Sequence, residues 1–403
     1  MKRLQTRFAD VKLIILDEFS MLKQSELFFV NARLKQIKCN DLPFGGLTIL
    51  LAGDPGQLPP VLGKCLWNRK SKPQSHNRSG YLLYHMFETG VKLEENARLD
   101  HNDKDAVFFD GFLKRLHDGI NTEDDWKTMC AQSRSTMCPH KWKDEFGGDD
   151  VMHLYCTNKE VAKRNIQCLK NVGNPIVQIN ASHTGRGHAA TSNQSGGLEK
   201  RTYLCEGASV LLTSNIWQIV GLCNGPTGTV IDIIYNSDND APGVPACVIV
   251  DFGKSYKGPR FFQKKSSFGE GCIPIFPKTE YWETVNGDKK TTHSRTMIPL
   301  RLSYAWTIWK AQGQTIKTKV VIVLGNTERE HGLTYTAFSR VERASDIGID
   351  GGFPSNRLLE KVKKQRLMKE RIKEEKRMDR IIIAPTIRKL RLLDPIPFWS
   401  STS

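Results

Sequence analysis

Apolar residues in this chain come in short runs separated by turn-forming clusters. The first run, VKLIIL at 11–16, leads directly into Asp17 and Glu18. A run of that length predicts a buried parallel strand that delivers two acids at its carboxyl end. Leu27, Val30, Leu34 and Ile37 then recur at i, i+3, i+7 and i+10. That spacing predicts a helix with one apolar face. Pro43 and the Gly45-Gly46 pair end it, and LTILLA at 47–52 predicts a second buried strand running into Gly53-Asp54. Strand, helix, strand is a βαβ unit, and such sheets bind ligands outside the carboxyl ends of their strands.

Further along, residues 64–80 are polar and predict a loop, and residues 105–119 are patterned as a helix ending at Gly119. Residues 121–150 are acidic and weakly patterned. A strand is expected at 151–155, then a helix to about 172. Residues 180–200, rich in Gly, Ser, Thr and Asn, predict a flexible loop. Between 203 and 292 the short runs at 208–212, 229–234 and 247–252, with Gly, Pro and Asn-Asp turns between them, predict a small inserted β-barrel. Helix–strand alternation returns from 300 to 349, and a charged, solvated helix is expected after Arg357 before Pro385, Pro395 and Pro397 break order.

Composition narrows the classes. The 403 residues are 39% hydrophobic and 25% charged, which suits two or three globular domains. No apolar run nears the roughly 18 residues of a membrane span, and the basic start MKRLQTR leads into no signal-like apolar stretch. An integral membrane protein is excluded on this reading, and no membrane partner is expected. The formal net charge is +16, which suits a polyanion such as nucleic acid. Residues 357–380 hold eleven Lys/Arg against five Asp/Glu, so +10 remains for the rest. The ten cysteines are scattered with no C-x-x-C pair, as in reduced intracellular proteins. Cys130, Cys138 and His140 lack a second ligand pair at finger-like spacing, which argues against zinc.

The strongest chemical signal is the strand ending in Asp17-Glu18. Nucleoside triphosphatases place one acid there to hold Mg²⁺ and another to orient or deprotonate the attacking water. An acidic strand end alone is common. The next strand, however, delivers Gln57 on the rigid turn GDPGQLPPV at 53–61. A Gln so placed can sense a γ-phosphate or position water.

DEFSM (17–21) with GDPGQLPPV (53–61) resembles motifs II and III of the RecD-like, PIF-type DNA helicases of superfamily one. Later segments resemble the family's motifs in order. They are NARLD (96–100), LYCTNKEV (154–161), the segment from Gly207 through Asn215 with GLCNG (221–225), AWTIWKAQGQT (305–315) and YTAFSRV (335–341). The likeness covers roughly residues 11–350.

The resemblance implies an α/β fold. It comprises two RecA-like parallel-sheet domains, the first truncated, with a small inserted β-barrel. The expected boundaries are 1–89 for the truncated first domain, 90–225 and 296–356 for the second, 226–295 for the barrel and 357–403 for the basic tail. It also implies an ATP-dependent DNA helicase of 5′–3′ polarity that couples ATP hydrolysis to movement on single-stranded DNA, including at junctions. Asp17 would hold Mg²⁺ and Glu18 would be the catalytic base. Gln57 would couple phosphate to DNA, and Arg98 and Arg340 would stabilise transition-state charge. Gly313 and Gln314 would lie at the ATP site. Thr157, Asn158, Thr307, Trp309, Lys310 and Gln312 would lie near the DNA. The expected setting is intracellular and nuclear.

The chain departs from the family pattern in places. The phosphate loop G-x-x-x-x-G-K-[ST] should precede Asp17, and none of the sixteen residues before Asp17 is Gly. Gly63-Lys64 is followed by Cys65, and Gly253-Lys254-Ser255 follows an apolar run that predicts a strand-to-turn exit. A fragment that needs an upstream segment to supply the loop is the simplest expectation, followed by a decayed, transposon-derived copy. Negligible ATP turnover is expected of the 403 residues alone. Trp309 and Ala311 stand where the family usually has His and Ser. Two further functions compete. One is a non-catalytic nucleic-acid-binding remnant of such a helicase, and the other is a product that does not fold stably.

Overall fold

The computed structural model describes residues 1–68, 72–93, 96, 102–148, 151–185, 187–192, 194–236, 243–262, 267–286, 289–326, 328–359 and 366–380. The chain divides into two units, residues 1–154 with 308–403, and residues 155–307.

In the first unit the strands Leu13–Leu16 and Thr48–Leu51 pair in parallel, with Leu13 opposite Thr48 and Leu16 opposite Leu51. The helix Gln24–Lys38 joins them and buries Leu27, Leu34 and Ile37, as the sequence spacing requires. These side chains meet Phe19, Phe44, Leu66, Trp67 and Tyr84 in one core. Two buried polar groups tie loops to the helix. Gln24 Nε2 donates to Cys65 O at 2.9 Å and Asn68 O at 2.7 Å, and Asn31 Oδ1 accepts from Phe44 N at 2.7 Å. The apolar runs predicted strands buried on both faces. Only one face is covered: Ile14, Leu16, Ile49 and Leu51 pack on the core, while Leu13, Ile15 and Leu50 are 49, 60 and 46% exposed.

The polar stretch expected as loop at 64–80 instead runs into a helix, His76–Tyr84, which opens with Ser75 Oγ accepting from Arg78 N at 3.2 Å. The weakly patterned stretch at 121–150 holds two helices, Glu123–Cys130 and Pro139–Phe146. Thr122 and Asp125 cap the first reciprocally, and Pro139 opens the second.

A second sheet of this unit pairs Val320–Val323 in parallel with Ile347–Ile349. Met152 N donates to Lys319 O at 3.1 Å, so the strand Met152–Tyr155 lies on the other side of Val320–Val323. Val320, Val321, Ile322, Ile347 and Ile349 are fully buried, as expected of parallel strands with both faces covered. The helix Lys104–Asp118 starts on Asp103, whose carboxylate accepts from Asp105 N and Ala106 N, and it ends on left-handed Gly119. Its Phe112 packs against Phe338.

The second unit begins with the helix Asn158–Asn171. Its main sheet has five antiparallel strands in the order Cys272–Ile275, Cys247–Asp251, Thr227–Ile234, Ser209–Leu212 and Leu300–Leu302. A second sheet holds the long hairpin Lys278–Asn286 and Lys289–Met297, with Ser182–Thr184 beside it. Gly253-Lys254-Ser255 forms a single turn after the strand Cys247–Asp251.

Within the stretch at 180–200, expected to be a flexible loop, described residues are held in place. Arg295, buried in the hairpin, donates to Ser195 Oγ and Ala190 O at 2.7 Å and to Leu198 O and Gly187 O at 2.8 Å. One guanidinium thereby satisfies four groups of a segment that has few apolar side chains of its own.

Candidate functional site

The site of the first unit is built on the two parallel strand ends. Ala52 N donates to Leu16 O at 2.9 Å and Phe19 N to Ala52 O at 3.0 Å, which zips the residues after each strand together. Gly53 sits at φ 143°, and a Cβ there would lie 2.8 Å from Phe19 N, so only glycine allows this approach. Glu18 itself adopts the left-handed conformation (φ 55°, ψ 43°), which few non-glycine residues take. Its N–H donates to Asp17 Oδ1 at 2.8 Å. Asp17 is exposed beyond the strand end.

Glu18 points at the turn after Ile308–Ala311. Gln312 Nε2 donates to Glu18 Oε2 at 2.8 Å and to Ser20 Oγ at 3.2 Å. Gly313, at φ 76°, lies beside Glu18 Oε1. Arg340 braces the same turn. It is 2% exposed, and it donates from Nη1 to Ala311 O at 3.3 Å and Gln314 O at 3.1 Å. Its Nε reaches Thr336 O at 2.8 Å and its Nη2 reaches Ser339 Oγ at 2.8 Å. In this conformation Arg340 therefore holds the backbone that presents Gln312.

The Gln57 loop is fixed by a half-buried carboxylate. Asp54 Oδ1 accepts from Gly56 N at 2.7 Å and lies 3.1 Å from His117 Nε2, and Asp54 Oδ2 accepts from Tyr335 Oη–H at 2.7 Å. Burial alone would raise the pKa of Asp54. The hydrogen bond and charge of His117, with Tyr335 and Gly56 N–H, outweigh it and bring the pKa to about 2. Burial lowers that of His117, but Asp54 raises it more, so the imidazole titrates above its ordinary value. Gly56 leaves room for the His117 ring and the Arg371 guanidinium, which close over it.

Gln57 Oε1 and Gln312 Oε1 are buried acceptors without a hydrogen-bond partner among the described residues. Such atoms call for a donor such as a water. A Gln-held water beside a carboxylate is the apparatus of phosphoryl hydrolysis. Among the described residues no cluster of three or more His, Cys, Asp or Glu could enclose a metal. Asp17 alone suits Mg²⁺, which takes one or two protein carboxylates and fills the rest of its shell with phosphate oxygens and water.

The structure brings Glu18, Gln312 and Gly313 together, places Gln314 next along the same turn, and sets Arg340 behind it. Arg98 lies outside the described residues. Trp309 is half-buried and Lys310 exposed on the helical turn Ile308–Ala311. In the second unit, Thr157 caps the helix Asn158–Asn171. Its Oγ1 donates to Glu160 Oε2 at 2.5 Å and accepts from Glu160 N at 3.3 Å. Asn158 is exposed, and Thr307 ends the strand Ala305–Thr307. Sequence reasoning missed Ser20, Asp54, His117, Tyr335 and Arg371 as site residues. Asp54 and Tyr335 lay within recognised motifs, but nothing local marked them as partners 281 residues apart.

The family model for PIF1-like helicases matches residues 1–126. The ATP-dependent DNA helicase PIF1 of Candida albicans is 24% identical over 85% of this chain and 44% of its own length. The ATP-dependent DNA helicase Pif1 of a Psychrobacter species is 24% identical over 87% of this chain and 55% of its own. The chain thus spans about half the length of these curated relatives. Among solved structures, Pif1 helicase from Candida albicans aligns over 93% of this chain and 79% of its own, with TM-score 0.66 and 24% identity. Pif1 from Bacteroides in complex with ADP-AlF3 and ssDNA aligns over 93% of this chain and 77% of its own, with TM-score 0.65 and 19% identity. The shared fold is the RecA-like α/β fold of these helicases.

Proposed function

We propose that this chain, whose residues 1–126 belong to the PIF1-like helicase family, is the motor part of an ATP-dependent DNA helicase. It would couple ATP hydrolysis to movement along single-stranded DNA and to duplex unwinding, in the 5′–3′ direction. In this reading residues 1–89 form the first RecA-like domain, 90–225 and 296–356 the second, and 226–295 an inserted barrel. A segment upstream of residue 1 brings the phosphate loop, and the protein works on nuclear DNA and its junctions.

The observation that carries this reading is the Glu18–Gln312 contact at 2.8 Å, because it sets a carboxylate and a carboxamide side by side at a strand end. Mg²⁺, when bound with the nucleotide, neutralises phosphate charge, and Asp17 would hold it. Glu18 would take a proton from the attacking water. Gln312 holds the Glu18 carboxylate by Oε2, and the acceptors Gln57 Oε1 and Gln312 Oε1 would orient that water. Arg340 would act from behind the Gln312 turn, and Arg98, Gly313 and Gln314 would complete the nucleotide side. Thr157, Asn158, Thr307, Trp309 and Lys310 would face DNA, where Trp309 can stack on a base.

The test is ATP hydrolysis by the native polypeptide that contains these residues, with and without single-stranded DNA. The reading expects DNA-stimulated turnover that Glu18→Gln lowers by about 10²-fold or more, with DNA binding kept. Turnover that survives Glu18→Gln, or salt-sensitive DNA binding with no turnover at all, contradicts it. The second outcome is that of a non-catalytic DNA-binding module.

A further inference from the structure

The segment expected to be a solvated basic helix is docked. The helix Arg366–Met378 buries Met368, Arg371 and Glu374. Arg371 donates to His117 O and lies 3.4 Å from Glu375, and Glu375 lies 3.7 Å from His117. Glu374 accepts from Arg377 Nε at 2.9 Å. Tyr84 Oη–H donates to Met378 Sδ at 3.7 Å.

This docking sorts the charges. Glu374 and Glu375 are spent on Arg377, Arg371 and His117. Among the described side chains at 368–380 the exposed ones are Lys369, Lys373, Lys376, Asp379 and Arg380, four cations against one acid. Lys369, Lys373, Lys376 and Arg380 follow at i, i+4, i+7 and i+11, so they fall on one side over about 16 Å of helix axis. With Ile372 and Arg377 they line one open concavity. None of the four has an ion-pair partner among the described residues.

We propose that this outward face is a separate nucleic-acid contact that holds the sugar-phosphate backbone of a single strand without reading its bases. The face offers Lys and Arg cations and no aromatic ring or carboxamide, which suits phosphate and not base edges. Its docked side takes up Glu374 and Glu375, which leaves Asp379 as the one exposed acid among the described side chains of this helix. The proposal rests on the helicase reading for its choice of single-stranded DNA over other polyanions.

The experiment titrates a fluorescein-labelled oligothymidylate with the full chain and follows anisotropy over a series of salt concentrations. The compared variant combines Lys369→Gln, Lys373→Gln, Lys376→Gln and Arg380→Gln. Affinity at about 0.1 M salt is expected to fall at least tenfold. The slope of log affinity against log salt should fall by about 3, at about 0.7 per lost phosphate contact. Lys373→Gln alone, which leaves the helix charge otherwise intact, should lower the slope by about 0.7. Replacing the three lysines by Arg should keep wild-type binding. Unchanged affinity and slope in the fourfold variant overturn the proposal while leaving the helicase reading in place. A wild-type chain that does not bind the oligonucleotide overturns both. A variant that loses only its binding to phosphatidylserine-containing vesicles, with DNA affinity kept, also overturns it.

Discussion

Tyr335 donates its phenolic hydrogen to Asp54 Oδ2 at 2.7 Å, which fastens the loop carrying Gln57 to the helix Leu333–Phe338. Asp54 and Tyr335 come from two segments far apart in the sequence, the Gly/Pro turn and the YTAFSRV stretch. Their contact makes one element of them. Tyr335→Phe should destabilise the protein by about 1.5–3 kcal/mol, the usual worth of a hydrogen bond to a charged group. A double-mutant cycle with Asp54→Asn, read from urea midpoints, should give a coupling of about 0.5–3 kcal/mol. Additive effects would mean the bond contributes nothing.

The His117 cluster gives stability a pH dependence. His117 faces Asp54, Asp118, Glu375, Tyr335 and Arg371. Its pKa is raised in the folded state, so the stabilisation from its charged form is complete below about 6.5 and is lost as pH climbs through the raised value. Glu375, raised by burial, adds a loss of the same sign beginning above about 4.5. Asp54 acts the other way. Its contribution is present above about 3.8 and disappears as pH falls through about 2. The urea midpoint should therefore fall as pH rises above 6.5, and His117→Gln should flatten that fall. An identical slope in the variant would show that another group titrates.

At Glu18, replacing the neutral partner by a charge is diagnostic. Gln312→Glu would set two carboxylates at hydrogen-bond distance, which disfavours ionising both. The melting temperature should drop at pH 8 and recover towards pH 5, while Gln312→Met should show no such recovery. Equal melting curves for Gln312→Glu at the two pH values would mean the side chains part at no cost.

Arg295→Ala leaves four buried acceptors without their donor. It should cost at least about 3 kcal/mol. It should also make residues 182–198 the earliest site of limited proteolysis. Arg295→Lys should rescue little, because one ammonium cannot span four acceptors. Wild-type protease resistance in Arg295→Ala would refute the role.

Elements with local causes were legible. The strands Leu13–Leu16 and Thr48–Leu51 are announced by unbroken apolar runs, and the helix Gln24–Lys38 by its 3.6-residue period. The Asp17-Glu18 pair was legible because both acids follow a strand directly. What stayed hidden depends on partners far along the chain. The loop at 180–200 looks flexible because its order comes from Arg295, about 100 residues on. The helix His76–Tyr84 has a polar first half, and its apolar contacts with the core come only at Leu83 and Tyr84. The basic helix Arg366–Met378 looks solvated because the charged residues Arg371 and Glu374 make up part of its buried face. The resemblance gives Arg340 a role at the transition state, but only the fold shows that its guanidinium lies on the carbonyls of Ala311 and Gln314.

The most direct measurement is single-turnover ATP hydrolysis, with Mg²⁺ and single-stranded DNA, by the native polypeptide that carries these residues, comparing wild type with Glu18→Gln. The account predicts that the variant keeps DNA affinity and loses the hydrolytic step by about two orders of magnitude. Equal hydrolysis rates in the two proteins would contradict it.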